Sequence, residues 1–190
     1  MNQRRSEAKR RQRGPTDHGR RDRIADAAIS LVSEEGITAL SHRRVAAAAQ
    51  VPLGSTTYHF STLDALVAAA FDKAAERSIA ALREWEQVLP PDADLAEALA
   101  DFVLRSIGEN RENTMAEYNL YALALHRPAL RKAAVDWDDA VAQVLEKRTD
   151  ALTGRMLGGL LCGLLIQAVL RNELLNRSDV EAVLARAIRS

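Results

Sequence analysis

Five consecutive side chains, Ser55, Thr56, Thr57, Tyr58 and His59, carry hydroxyl or imidazole groups, and two arginines, Arg43 and Arg44, stand shortly before them. Hydroxyls and imidazoles donate and accept hydrogen bonds. A guanidinium presents a fork of donors that fits a phosphate or the O6/N7 edge of guanine. No Gly-rich phosphate loop and no nucleophile–base–acid pattern accompanies them. The chemistry on offer is therefore recognition of a polyanion by charge and hydrogen bonding, with Ser55 and Thr56 placed to touch bases or thymine methyls.

The flanking sequence supplies elements to position these groups. Ser41 can cap a helix that begins at Arg43 and Arg44 and runs through the alanines to Ala49. Pro52 disfavours helical geometry at Val51, so the chain turns there. Leu53 to His59 can then form about two helical turns, roughly 10 Å long, which suits a helix laid in a DNA major groove. Upstream, Ile24, Ala27, Ala28, Leu31 and Val32 mark the apolar stripe of an amphipathic helix that Gly36 can stop. Downstream, Ser61-Thr-Leu-Asp64 reads as a capping box with Asp in its last place, and a long apolar-periodic helix follows. Phe60 reads as core, and either Tyr58 or His59 can pack inward.

Residues 20–71, RRDRIADAAISLVSEEGITALSHRRVAAAAQVPLGSTTYHFSTLDALVAAAF, resemble the TetR family of bacterial transcriptional regulators. The match is a helix, a Gly, a T/S-x-R helix, a turn, a G-x-x-Y-x-H/Y-F helix and a fourth helix. The resemblance implies that Arg43 reads a guanine edge or a phosphate, and that Gly54 allows close approach to DNA. It also implies that Thr57, Tyr58 and His59 hold phosphates and that Leu53 faces the groove. Arg44 reads equally as a DNA contact or a solvated charge. Two positions depart from the family pattern. Gln50 stands where the turn usually has Gly, at a cost of about 1 kcal/mol if its backbone is left-handed. Leu63 stands where a phosphate-binding Lys is usual.

Composition sets the wider frame. The 190 residues are rich in Ala and Leu, with 4% aromatics, and β-branched runs are absent, which favours an all-α chain. The net charge of zero hides an asymmetry: residues 1–23 hold nine Arg or Lys against three Asp or Glu. Arg4, Arg5, Lys9, Arg10, Arg11 and Arg13 make residues 1–15 a disordered basic arm that can track phosphate or enter a minor groove. A helix-turn-helix DNA-binding domain is expected over 16–61 and a ligand-binding and dimerisation domain over 62–190. About nine helices are expected in all, a three-helix head followed by a helical bundle. After Val88 they are expected at Leu95–Ile107, from Asn113 or Thr114 to Ala124, from Pro128 to Lys147, from Thr149 or Thr153 to Leu175, and after a Ser178-Asp-Val-Glu181 capping box.

The single Cys162 excludes an internal disulfide and a Cys-based zinc site. His18, His42, His59 and His126 are scattered, so no metal and no cofactor is expected. Met156–Leu170 is shorter than the roughly 20 residues a membrane span needs and reads as a buried helix. No signal peptide is legible, and a cytoplasmic protein without membrane contact is expected.

Candidate pocket residues are Phe102, Met115, Tyr118, Asn119, Tyr121, Leu123, Trp137 and Cys162, each of which also reads as ordinary core. The resemblance implies that the last two long helices pair across a two-fold axis, with Gly158, Gly159, Leu160, Gly163, Leu164, Val180, Val183, Leu184 and Ala187 as interface candidates. It further implies a small-molecule-responsive repressor, a homodimer on a palindromic operator in double-stranded DNA, released by an unidentified inducer. The basic arm alone also allows a sequence-tolerant architectural DNA-binding protein. An enzyme is not expected, because the helices after Val88 read as Ala, Leu and Val rather than as convergent titratable groups.

Overall fold

The computed structural model describes residues 19–171 and 175–189; the expected basic arm lies outside them. Among the described residues there are nine α-helices and no strand: α1 Arg20–Glu35, α2 His42–Ala48, α3 Leu53–His59, α4 Leu63–Val88, α5 Leu95–Ile107, α6 Arg111–Leu123, α7 Pro128–Glu146, α8 Ala151–Arg171 and α9 Arg177–Ile188. The head is α1–α3, and the bundle is α4–α9.

Helix ends show why the chain breaks where it does. Gly36 stops α1 at φ 78°, ψ 174°, a region open essentially to glycine alone. The Ser41 hydroxyl accepts from the Arg44 N–H at 3.2 Å and starts α2. After α2, Gln50 has φ 53°; its N–H donates to the Ala47 carbonyl, and the Val51 N–H reaches back to that of Ala46. That pair of bonds is a Schellman motif, with a left-handed residue at its centre. Asp94 caps α5, accepting from the Ala96 and Glu97 N–H groups at 2.9 and 3.1 Å.

Three expected starts differ in the residue that does the capping. Thr62, not Ser61, begins α4, accepting from the Ala65 N–H, while Asp64 pairs with Arg127. For α8 the cap is Asp150, not Thr149 or Thr153: its carboxylate accepts from two N–H groups and from the Thr153 hydroxyl. For α9 the cap is Asn176, accepting from the Ser178 N–H, and Glu181 pairs with Arg177 instead of closing a box.

The end of α4 is held from a distance. Arg148 donates to the carbonyls of Glu86, Leu89 and Pro90 at 2.7, 2.8 and 2.9 Å, and to the Glu86 carboxylate at 2.9 Å. Lys147 completes the pair at 3.1 Å. Orphan carbonyls at a helix end need such donors. First Arg148 and then Lys147 hold the buried Glu86 carboxyl below the usual carboxylate range.

Two apolar clusters fill the interior. One joins α1 and the head to α4, α6 and α7 around the fully buried Phe71. The other lies among α4, α5, α7, α8 and α9. The most extensive helix contact is α7 on α8, and Gly154 makes it possible. A Cβ there would lie 3.0 Å from the Glu146 nitrogen and 3.1 Å from the Ala142 carbonyl, whereas one at Gly158 would make ordinary contacts, with Val141 at 3.6 Å and the Ala142 nitrogen at 3.9 Å.

α8 is less buried than its composition suggests. It is the one described helix long and apolar enough to cross a membrane, and 28% of its most apolar window is buried. Gly154, Leu157, Leu161, Leu165 and Ala168 face inward. On the opposite face, Leu152 and Leu170 are 73% and 78% exposed. The expectation of a buried helix is corrected: one stripe is buried and the rest is presented outward.

Two substitutions test these constraints. Gln50→Gly is expected to stabilise the protein by about 1 kcal/mol by removing the left-handed cost, read as a higher urea midpoint at unchanged slope. Gly154→Ala is expected to cost about 1–3 kcal/mol through overpacking, while Gly158→Ala stays near neutral in the same thermal melts.

Candidate DNA-reading head and core cavity

The head presents α3 to solvent. Pro52 precedes it with φ −57° and ψ 143°, a fixed entry that projects the short helix from the turn. Tyr58 is 84% exposed and Leu53 49%. Arg43, Gly54 and Thr57 are also exposed, and Ser55 and His59 are half-buried. The Tyr58 and His59 rings meet edge to face at 5.2 Å. Phe60 is core, and the Arg21 guanidinium lies 5.2 Å from its ring centroid.

Two expected contacts are placed differently from their neighbours. Thr56 is fully buried, and its hydroxyl donates to the Leu53 carbonyl at 2.8 Å. It packs α3 onto α2 and is removed from the candidate DNA contacts. Arg44 pairs with Glu35 at the end of α1, which holds the Glu35 carboxyl low. Arg43 is exposed and makes no ion pair among the described residues. Leu63 packs half-buried against the head cluster.

Behind the head, α4–α8 enclose a cavity of about 380 Å³. It gathers Phe102, Tyr118, Tyr121, Trp137 and Cys162 from the expected set; Met115, Asn119 and Leu123 line no part of it. The reason is helical phase. Thr114, Glu117, Tyr118 and Tyr121 share one face of α6 at i, i+3, i+4 and i+7, and that face turns to the cavity. Met115, Asn119 and Leu123 form the next stripe around the helix, and Leu123 packs on the head cluster instead.

The cavity wall combines aromatic and polar side chains. Trp137 lies 5.5 Å from Tyr118 and 5.3 Å from Tyr121, centroid to centroid. The Tyr121 hydroxyl donates to Asp138 at 2.9 Å. Burial, then that bond, pushes the Tyr121 hydroxyl up to about 12; burial also raises Tyr118 and Cys162. The Trp137 indole N–H is buried without an acceptor among the described residues. Sequence reasoning missed Ser78, Glu117, Asp138, Asp139 and Arg155, which also line the wall. A carboxylate and two tyrosines on the core-facing stripe of α6 were the available signal. No group of His, Cys, Asp or Glu that could hold a metal ion occurs among the described residues.

Of the expected interface residues, Val180 and Leu184 are 3% and 0% exposed within this chain, packed in its second cluster. They are corrected to core: α9 lies on α5, where Arg177 bridges Glu97 and Asp101. Leu160, Leu164 and Ala187 are partly buried against the same cluster, and Gly158 and Gly159 border the cavity. Gly159 and Val183 are exposed and Gly163 is half-buried. A Cβ at Gly159 or Gly163 would meet nothing within the chain.

Two family models match. The model for bacterial regulatory proteins of the TetR family covers residues 24–70, and a tetracyclin repressor-like C-terminal domain covers 90–190. No curated protein matches. Among solved structures, the multidrug binding protein EbrR complexed with imidazole is 45% identical, covering 89% of this chain and 94% of its own, with a TM-score of 0.80. The EbrR complex with ethidium is 43% identical, covering 89% and 98%, with a TM-score of 0.79. A TetR-family member from Streptomyces coelicolor A3 is 45% identical over 89% and 98%, also with a TM-score of 0.79. With likeness of this degree running from the exposed reading helix through the cavity-bearing bundle, the chain belongs to the TetR family of DNA-binding transcriptional regulators.

Proposed function

We propose that the protein is a cytoplasmic, small-molecule-responsive repressor that reads a palindromic operator as a homodimer and releases it when an aromatic ligand enters the cavity. The observation that carries this reading is the continuity of packing between cavity and head. Trp137 and Tyr121 line the cavity and both meet Phe71 edge-on, at 6.1 and 6.4 Å. Phe71 belongs to the same cluster as Ile24, Ala28 and Val32 of α1. An occupant that moves the two rings moves the platform on which the head sits.

EbrR has been crystallised with ethidium, proflavin and malachite green. All three are delocalised aromatic cations, and the ring-lined, acid-bearing wall described above suits that class. The homodimer is supported by the outward face of α8. Leu152, Met156, Gly159, Gly163, Ile166 and Leu170 follow one another at alternating spacings of four and three, the period of a coiled-coil seam. Glycines at its centre allow a second copy to approach closely.

Three measurements test the parts. Selection of bound duplexes from a random pool should return a palindrome with half-sites about one helical turn apart; recovery of no shared motif, with binding abolished by moderate salt, would favour an architectural DNA-binding protein. Arg43→Ala should relax base preference at one position per half-site by about 1–3 kcal/mol, and unchanged preference would remove Arg43 from the reading surface. Gly163→Glu should halve the mass seen by light scattering at unchanged helix content, whereas a persisting dimer would place the interface elsewhere.

A further inference from the structure

Beside the aromatic cavity lies a second, more polar one of about 430 Å³, bordered by Ile29 of α1 and by α4, α5 and α6. Glu117 lines both, together with Ser78, Phe102, Ser106 and Thr114. A carboxyl at such a junction faces whatever enters from either side. Its neighbours offer it little. The Ser78 hydroxyl hydrogen-bonds it, and burial pushes it up to about 7 against the effect of that bond.

Among the described residues no lysine or arginine pairs with Glu117. On α4, Arg77 borders the second cavity but is tied to Asp26 at 2.6 Å. The α5 wall is Phe102 and Ser106, and α1 contributes Ile29, all uncharged. On α6 the other titratable groups lining these cavities are Tyr118 and Tyr121, while Arg111 and Glu112 line neither and Arg111 donates to the Val169 carbonyl of α8 at 3.4 Å. On α7, Asp138 accepts from Tyr121 and Asp139 stands beside it. On α8 the groups are Cys162 and Arg155. Burial raises the Glu117 carboxyl and the Ser78 hydrogen bond opposes that rise.

We propose that Glu117 selects the charge of the ligand: it holds a proton in the empty cavity under mildly acidic conditions and is the carboxylate partner of a delocalised aromatic cation in the complex, so under those conditions cation uptake expels one proton. This rests on the reading of the cavity as a site for aromatic cations. The balance is simple. The carboxyl O–H bond breaks, the electron pair stays on the carboxylate, and the proton passes to solvent. A buried carboxylate is unfavourable alone. A cation against Trp137 and Tyr118 offsets that cost, and both charges are then screened little by water. The neutral acid leaves the same walls open to uncharged aromatics.

The sign follows by linkage. Below about pH 7 the free protein must give up the Glu117 proton to bind a cation. Affinity therefore rises with pH, by up to about tenfold per unit, and levels off above that point.

The test titrates the full-length protein with ethidium, a permanent cation, between pH 5.5 and 8.5. Its neutral unquaternised parent, 3,8-diamino-6-phenylphenanthridine, is compared at pH 8. The wild type should bind ethidium more tightly up to about pH 7 and then evenly, and calorimetry in buffers of different ionisation heat should count about one proton released at pH 6. Glu117→Gln should weaken ethidium on the order of 10- to 100-fold at pH 8, flatten the profile and leave the neutral parent unchanged. Ethidium binding with a flat wild-type profile and no proton release, or with the same profile in the variant, overturns the role of Glu117 and leaves the cavity reading standing. Failure of both dyes to bind the wild type overturns the cavity reading and the proposal with it.

Discussion

The structure turns on the burial of Phe71 between the head and the bundle. Its ring meets Tyr121 of α6 and Trp137 of α7 on one side and shares a cluster with the inward stripe of α1 on the other. Interiors packed at this density have no slack, so α1 cannot shift on α4 without repacking those rings. Polar ties fix the register. Asp26 of α1 is held by Lys73 and Arg77 of α4, and the Ser33 hydroxyl donates to the Glu112 carbonyl at 3.0 Å. Exposed ion pairs contribute about 0–1 kcal/mol each, so they select among packings that the apolar contacts make stable.

That arrangement sets the scale of a response. A tenfold change in operator affinity needs about 1.4 kcal/mol of differential preference for one packing over another. Fully burying one large apolar side chain contributes about 1.5–3 kcal/mol. Repositioning a single ring of the Phe71–Tyr121–Trp137 group is therefore large enough to bias the head, and no extended rearrangement is required. A ligand with equal affinity for both packings would shift nothing, however tightly it bound.

The reading helix was legible because its signals are local. Pro52 fixes a turn, Gly36 takes a backbone shape closed to other residues, and Leu53–His59 fits between Pro52 and Phe60. The caps at Thr62, Asp150 and Asn176 were harder to read, since Ser, Thr, Asp and Asn at adjacent positions are all competent acceptors and only the backbone angles choose among them. Thr56 was misplaced because a hydroxyl on a short polar helix looks available until its own helix's carbonyl claims it. In α6, residue type misled and phase would have served. Met115, Asn119 and Leu123 look like pocket residues individually, but only the stripe through Glu117, Tyr118 and Tyr121 reaches the cavity. Arg148 at the end of α4 was beyond reach, since nothing near residue 89 announces a donor almost sixty residues later.

Glycine placement in α8 ties the cavity to the proposed dimer. Gly154 lets α8 sit tightly on α7, and the following turns put Gly158, Leu161, Cys162 and Leu165 against the cavity. Gly159 borders the cavity as well, and with Gly163 it belongs to the outward stripe proposed above as the seam. An occupant pressing on Cys162 would push on α8, which also presents the outward stripe of Leu152 and Leu170. The aromatic wall reaches the head through Phe71, and in the proposed dimer the α8 wall would reach the second copy. Both routes would act there on the spacing of two reading helices, one by tilting each head on its bundle and the other by turning the bundles against each other. In such a dimer the cavity is a common support for both, and occupancy would change operator geometry through whichever support yields first.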